Sequence, residues 1–297
     1  MSPETTTPDD RGAGVIDAHL HIWDPSRHRY DWLGPQHAPI DRTVTAEEAI
    51  DVLRRAGVSQ ALLVQAADTD EDTDAMLAAA RAHSELIGVV AFVPLDDPRM
   101  AAARLESLLQ DPLVVGVRSL VHDRPDPDWI LRPAAREILD LIDAAGLAFD
   151  FPAVLPAHLK HIPELVHWHP GLRIVLDHLG KPPVGAAGPW AEGEWERLVR
   201  RLGPLPTVSA KLSGLQSLGT NAAAWSLDQV RPFVEVALDV FGPDRMLFGG
   251  DWPVSELSGG YRRIIDATTN LLSSLDPLGR AAVLGGTARR VYGLGTR

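Results

Sequence analysis

The chain contains no cysteine. That removes disulfides, thiolate metal ligands and a cysteine nucleophile, and it fits a cytoplasmic setting. Positive charge is also scarce: 28 Lys and Arg stand against 40 Asp and Glu, a formal net charge of −12. Neither nucleic acid nor an anionic membrane surface is therefore an expected partner. No apolar run reaches the roughly 18 residues that a membrane-spanning helix needs. Residues 1–14 are polar and acidic, lack the basic-then-apolar order of a signal peptide, and are expected to be a disordered lead-in. No Gly-rich phosphate loop follows any apolar segment, so nucleotide binding has no support. No linker-like break divides residues 15–297, which are expected to form one domain.

What is present is an ordinary globular composition, 45% hydrophobic and 23% charged, arranged as a regular alternation. Short apolar runs read as strands at residues 15–23, 60–65, 87–93, 113–120, 147–152, 172–178, 207–213 and 245–249. Helical segments lie between them, the first opened by a Thr45-x-x-Glu48 capping box and stopped by Gly57. A further helical stretch runs from Tyr261, and Pro277 to Tyr292 forms a helical tail. Eight right-handed βα units close into a (β/α)₈ TIM barrel, an α/β fold; a doubly wound open sheet is the competing topology. The stretch from Asp24 to Thr43 carries His28, Tyr30, Trp32 and His37. It reads as an extended loop after strand one that covers the active site.

In such a barrel the chemistry sits at the C-terminal strand ends. The first strand, Val15-Ile16-Asp17-Ala18-His19-Leu20-His21-Ile22-Trp23, is apolar except for three polar residues at odd positions. Alternation predicts Asp17, His19 and His21 on one face and Ile16, Ala18 and Leu20 on the other. The remaining polar strand ends are Gln65, Arg118, Asp177-His178, Lys211 and Asp251-Trp252. Taken singly, each has a structural explanation. Asp17 can fix an imidazole tautomer or bind a neighbouring strand's backbone, Arg118 can pair with Asp150, and Lys211 can snorkel from the barrel mouth. His158 follows Pro156 at a helix start and reads equally as a cap or a ligand. His122, His161, His167 and His169 are background. Taken together, three histidines and an aspartate at the mouths of strands one, six and eight form a metal or acid–base constellation.

The runs VIDAHLHIWD, IVLDHLGKP (Ile174 to Pro182), KLSGL (Lys211 to Leu215) and MLFGGDWPV (Met246 to Val254) resemble the amidohydrolase superfamily. They are most similar to its amidohydrolase-2 type, in the branch of sugar lactonases and 2-pyrone-4,6-dicarboxylate lactonases. The resemblance implies a hydrolase with His19, His21, His178 and Asp251 as its reaction centre. These positions would bind a divalent metal, usually zinc, though some lactonases of this branch work without one. Strand five, Phe149-Asp150-Phe151-Pro152, supplies no histidine, and His158 is the nearby candidate. The expected reaction is lactone ring opening. Asp251 would activate water, the imidazoles or a metal would polarise the carbonyl, and Arg118, Lys211, Gln65, Trp32, Trp252 and His158 would hold a small-molecule substrate. A metal-dependent decarboxylase or hydratase of aromatic or unsaturated acids is the alternative.

Overall fold

The computed structural model describes residues 14–186, 188–214 and 225–295. Apart from Gly14, the expected lead-in lies outside these residues, as does Leu215. Eight parallel strands hydrogen-bond in chain order. They are β1 (Ile16–Leu20), β2 (Gln60–Val64), β3 (Leu86–Phe92), β4 (Val114–Arg118), β5 (Ala148–Phe151), β6 (Arg173–Leu176), β7 (Val208–Leu212) and β8 (Met246–Phe248). The ring is nearly closed beyond β8: Asp251 N–H donates to the His19 carbonyl and His21 N–H to the Trp252 carbonyl, both at 2.8 Å. This is the (β/α)₈ barrel expected from the alternation.

The helices are α1 (Ala46–Ala56), α2 (Asp70–Ala82), α3 (Pro98–Leu108), α4 (Pro133–Ala144), α5 (Pro156–Trp168), α6 (Glu194–Arg200), α7 (Leu227–Phe241), α8 (Tyr261–Leu271), α9 (Pro277–Ala281) and α10 (Thr287–Tyr292). The predicted Thr45–Glu48 capping box opens α1, and Gly57 closes it at φ 76°. The expected helical tail is two short helices joined by a wide π-type turn over residues 282–286. No helix among the described residues is long and apolar enough to cross a membrane.

Two apolar layers organise the barrel. The inner one contains Ile16, Ala18, Leu62, Val64 and Val90, sealed by Tyr292 from α10. The outer layer contains Leu20, Leu63 and Phe149 among the residues between strands and helices. The expected alternation in β1 therefore fails: Ile16 and Ala18 face inward, whereas Leu20 faces outward. A register shift against β2 between Asp17 and Leu20 accounts for it. The shift parts Asp17 from the two histidines. Its carboxylate accepts from the backbone N–H of Gly250 and His19 at 2.9 and 2.8 Å and from the Tyr261 hydroxyl of α8 at 2.7 Å. Of the two roles weighed for Asp17, the backbone anchor is the one realised.

Candidate functional site

At the C-terminal end of the barrel three imidazoles and a carboxylate converge. The His19 and His21 rings lie 4.8 Å apart, and those of His19 and His178 lie 4.6 Å apart. Asp251 Oδ1 stands 3.5 Å from His21 Nε2 and 3.8 Å from His19 Nε2. Each ring is held through its other nitrogen. His21 Nδ1–H donates to the Val64 carbonyl at 2.7 Å, and since a carbonyl only accepts, Nε2 is the lone pair presented in the neutral ring. His178 Nδ1 pairs with Ser213 Oγ at 2.8 Å. His19 Nδ1 lies 3.0 Å from Lys211 Nζ and 3.3 Å from Asp177. Burial alone would raise the Asp251 carboxyl, but His178, His21, His19 and Lys181 outweigh it and hold the group well below the usual carboxylate range. Burial, assisted by the Lys181 charge, pulls His178 down to about 3. Burial and Lys211 likewise lower His19. At neutral pH the centre thus sets an ionised carboxylate against the neutral imidazoles of His19 and His178.

The backbone delivering these groups is strained. β6 ends at Leu176, before the predicted His178, because the chain turns into left-handed conformation: His178, Leu179 and Lys181 have φ of 53°, with Gly180 at 70°. Asp251, at φ 52°, is the other non-glycine residue of this kind among those described. A left-handed L-residue costs roughly 1–2 kcal/mol, and such residues persist where surrounding structure enforces them. Here Trp195 Nε1–H donates to the Leu179 carbonyl and Trp190 Nε1–H to the Lys181 carbonyl, at 2.9 and 2.8 Å. Gly214 completes the packing: a Cβ there would lie 2.5 Å from His178 Nδ1 and 2.7 Å from Asp251 Oδ2. Any side chain at 214 would displace the centre.

Beneath lies a buried ionic layer. Lys211 Nζ contacts Asp150 and stands 3.2 Å from Asp177. Arg118 Nε is 3.1 Å from Asp177, and its Nη1–H donates to the Gln65 carbonyl at 3.1 Å. Tyr292 donates to Asp150 at 2.7 Å. Arg118 therefore pairs with Asp177 rather than with Asp150, which Lys211 occupies. Burial would raise Asp177, but Lys211, His19 and Arg118 outweigh it and keep the carboxyl well below its ordinary range.

A cavity of about 320 Å³ opens over the centre, lined in part by His21, His178, Asp251, Arg118, Trp32 and His37. Trp32 and His37 come from the segment after β1, so the expected cover reaches the site. Four residues expected to contact a substrate do not line this cavity. Lys211 is wholly buried in the ionic layer and does not snorkel. Gln65 is buried too, donating to Asp68 and to the Arg118 carbonyl. Trp252 is buried with its indole N–H on Glu256. His158 accepts from the Val154 N–H at 3.2 Å, which fits its reading as a cap, and it takes no part in the imidazole cluster. Conversely, His122 and Lys181 do line the cavity. His122, assigned to the background, follows β4 on the active end of the barrel; that placement was the available signal. Lys181 lay inside the quoted IVLDHLGKP run. His161 and His169 pair with Asp128 and Asp140 at 3.0 and 2.7 Å, as background residues should.

The donor set fits a divalent cation. His19, His178 and Asp251 can each offer one ligand atom within 4.8 Å of the others, and His21 presents Nε2 to the same carboxylate. His19 Nε2 is buried without a hydrogen-bond partner, an arrangement that calls for an occupant. Imidazole nitrogens with one carboxylate suit first-row divalent ions, and a carbonyl or carboxylate partner on each outer nitrogen is the usual support for such ligands.

Comparison with known proteins agrees with this geometry. The chain is 36% identical over 247 residues to an L-fucono-1,5-lactonase of Burkholderia ambifaria, covering 83% of this chain and 82% of that one. It is 28% identical over 302 residues to an L-fucono-1,5-lactonase of Burkholderia multivorans, covering 95% and 97%. A crystal structure of a Burkholderia multivorans amidohydrolase with bound zinc superposes with a TM-score of 0.87 at 27% identity, covering 95% of this chain and all of that one. The family model described as amidohydrolase matches residues 16–294. The chain belongs to the amidohydrolase family.

Proposed function

We infer that the protein is a lactonase, a carboxylic-ester hydrolase that opens the ring of a small sugar lactone. One observation carries this reading: an ionised Asp251 stands among the imidazoles of His19, His21 and His178, and it lines a cavity with His21 and His178, in a chain whose relatives include L-fucono-1,5-lactonases. Asp251 takes a proton from the attacking water. The oxygen adds to the acyl carbon, the ring C–O bond breaks, and the departing alkoxide recovers the proton that Asp251 accepted. His19, His21 and His178 stabilise the charge developing on the carbonyl oxygen. A divalent ion, zinc in our reading, would be held by these imidazoles and Asp251, and would supply Lewis acidity and a lower water pKa. Arg118 and Trp32 touch the substrate from the cavity wall, while Lys211, Gln65, Trp252 and His158 support that wall from behind. We place this activity in a single catalytic domain spanning residues 15–297 and in the cytoplasm, in keeping with the absence of cysteine.

The test is a panel of sugar lactones, pyrone- and muconolactone-type lactones, and aromatic acids, with metal analysis of the same preparation. Hydrolysis of at least one aldono-lactone, lost with Asp251→Asn, is expected. Turnover of an aromatic acid with every lactone inert would replace this reading by the decarboxylase or hydratase alternative. Chelation should lower the rate, and zinc should restore it.

A further inference from the structure

The left-handed turn at residues 178–181 places two side chains in one cavity, and only His178 has a part in the reaction centre as described. Lys181, at the other end of the turn, lines the cavity with Arg118 and His122. Its ammonium donates to the Gly214 carbonyl at 3.3 Å, and that glycine packs against both His178 and Asp251. Lys181 acts electrostatically on Asp251, His178 and His122, and Arg118 acts on His122 and His178. Lys181 and Arg118 thus put two cations, with the neutral His122 ring, in one wall beside the reacting carboxylate, in a protein whose net charge is strongly negative. Arg118 also pairs with the buried Asp177. Trp190 and Trp195 clamp the turn through its carbonyls, so the lysine's position is enforced by the same bonds that seat His178.

We propose that Lys181, supported by His122 and Arg118, is a substrate-contacting residue that binds the carboxylate of the open-chain hydroxy acid where the acyl group reacts. The proposal rests on the lactonase reading. Ring opening converts a neutral acyl group into a carboxylate beside Asp251, and a second anion there needs a cation within reach. Lys181 meets that need from the wall, and it favours the build-up of negative charge on the acyl oxygens during attack. The ligand class is an aldonate.

Calorimetric titration of the protein as purified with L-fuconate, D-gluconate and benzoate, and with the neutral polyol fucitol, tests this. Wild type should bind an aldonate, and Lys181→Met should weaken that binding at least tenfold while leaving fucitol binding, bound-metal content and melting temperature unchanged. Lys181→Arg should stay within about threefold of wild type. For lactone hydrolysis, Lys181→Met should lower kcat and relieve inhibition by the aldonate product. Failure of every carboxylate to bind wild type, or equal aldonate affinity in wild type and Lys181→Met, overturns the proposal. Carboxylate binding that depends on Lys181, in a protein inert to all lactones, would instead overturn the lactonase reading and leave the anion site standing.

Discussion

Two adjoining layers of this barrel hold similar polar groups and treat them in opposite ways. In the interior layer the cations Lys211 and Arg118 are matched charge for charge by Asp150 and Asp177, and Tyr292 donates to Asp150. In the layer above, His19, His178 and Asp251 turn toward one another, with His19 Nε2 left without a hydrogen bond and with Asp251 and His178 in left-handed backbone. Matching is what folding requires of buried charge. Mismatch and strain persist only where the rest of the structure enforces them, and here they coincide with the layer proposed to act on a substrate. The two layers meet at His19, whose Nδ1 belongs to the matched network and whose Nε2 belongs to the site.

That contrast can be broken by substitution. The largest effect is expected from Asp251→Asn, which should lower lactone hydrolysis by about 10²–10⁴-fold with little change in the denaturant midpoint; an unaltered rate would remove Asp251 from the chemistry. Lys211→Met attacks the matched layer instead, leaving Asp150 buried without a cation and Asp177 with Arg118 alone. It should destabilise the fold by about 3–5 kcal/mol, read from urea unfolding, and an unchanged midpoint would refute the structural role given to the layer. Tyr292→Phe removes only the hydroxyl on Asp150, for an expected loss of about 1–3 kcal/mol with the hydrolytic rate per folded molecule retained.

The smallest effect concerns pH. Burial, with Arg118 and Lys181 nearby, pulls His122 down to about 3. A histidine depressed on folding binds its proton first in the unfolded chain, so stability is lost as pH falls below about 6.5 and the loss ends near the folded value. Unfolding midpoints of wild type and His122→Asn at pH 7 and pH 5 should therefore converge by about 1–2 kcal/mol in favour of the variant at the lower pH. A gap independent of pH would mean that His122 is not held neutral in the cavity wall.

Much of this was legible in the chain itself. Short apolar runs alternating with capped helices specify eight βα units because each strand must be apolar on both faces and each helix on one. The same alternation, with the strand-end rule, picked out His19, His21, His178 and Asp251. The roles of Lys211, Gln65, Trp252 and His158 were not legible. A polar residue near a strand end reads the same whether its side chain meets the cavity or a neighbour from the adjoining strand, and Lys211 meets Asp150 and Asp177. That His122 and Lys181 line the cavity was not legible for the converse reason: they stand outside the strands, where period carries no direction, and Lys181 sits in a left-handed turn.

The opening strand shows where the division falls. Its composition determined that two imidazoles, two residues apart, would stand at a strand end of a barrel. Local sequence could not specify that a register shift against β2 would send Asp17 to Tyr261 while His19 turned inward. Nor could it specify that His178 and Asp251, legible as polar strand ends, would be delivered by left-handed backbone. Those depend on strand register and on clamps such as Trp195, which are contacts between segments far apart in the chain, and only closure of the barrel brings them together.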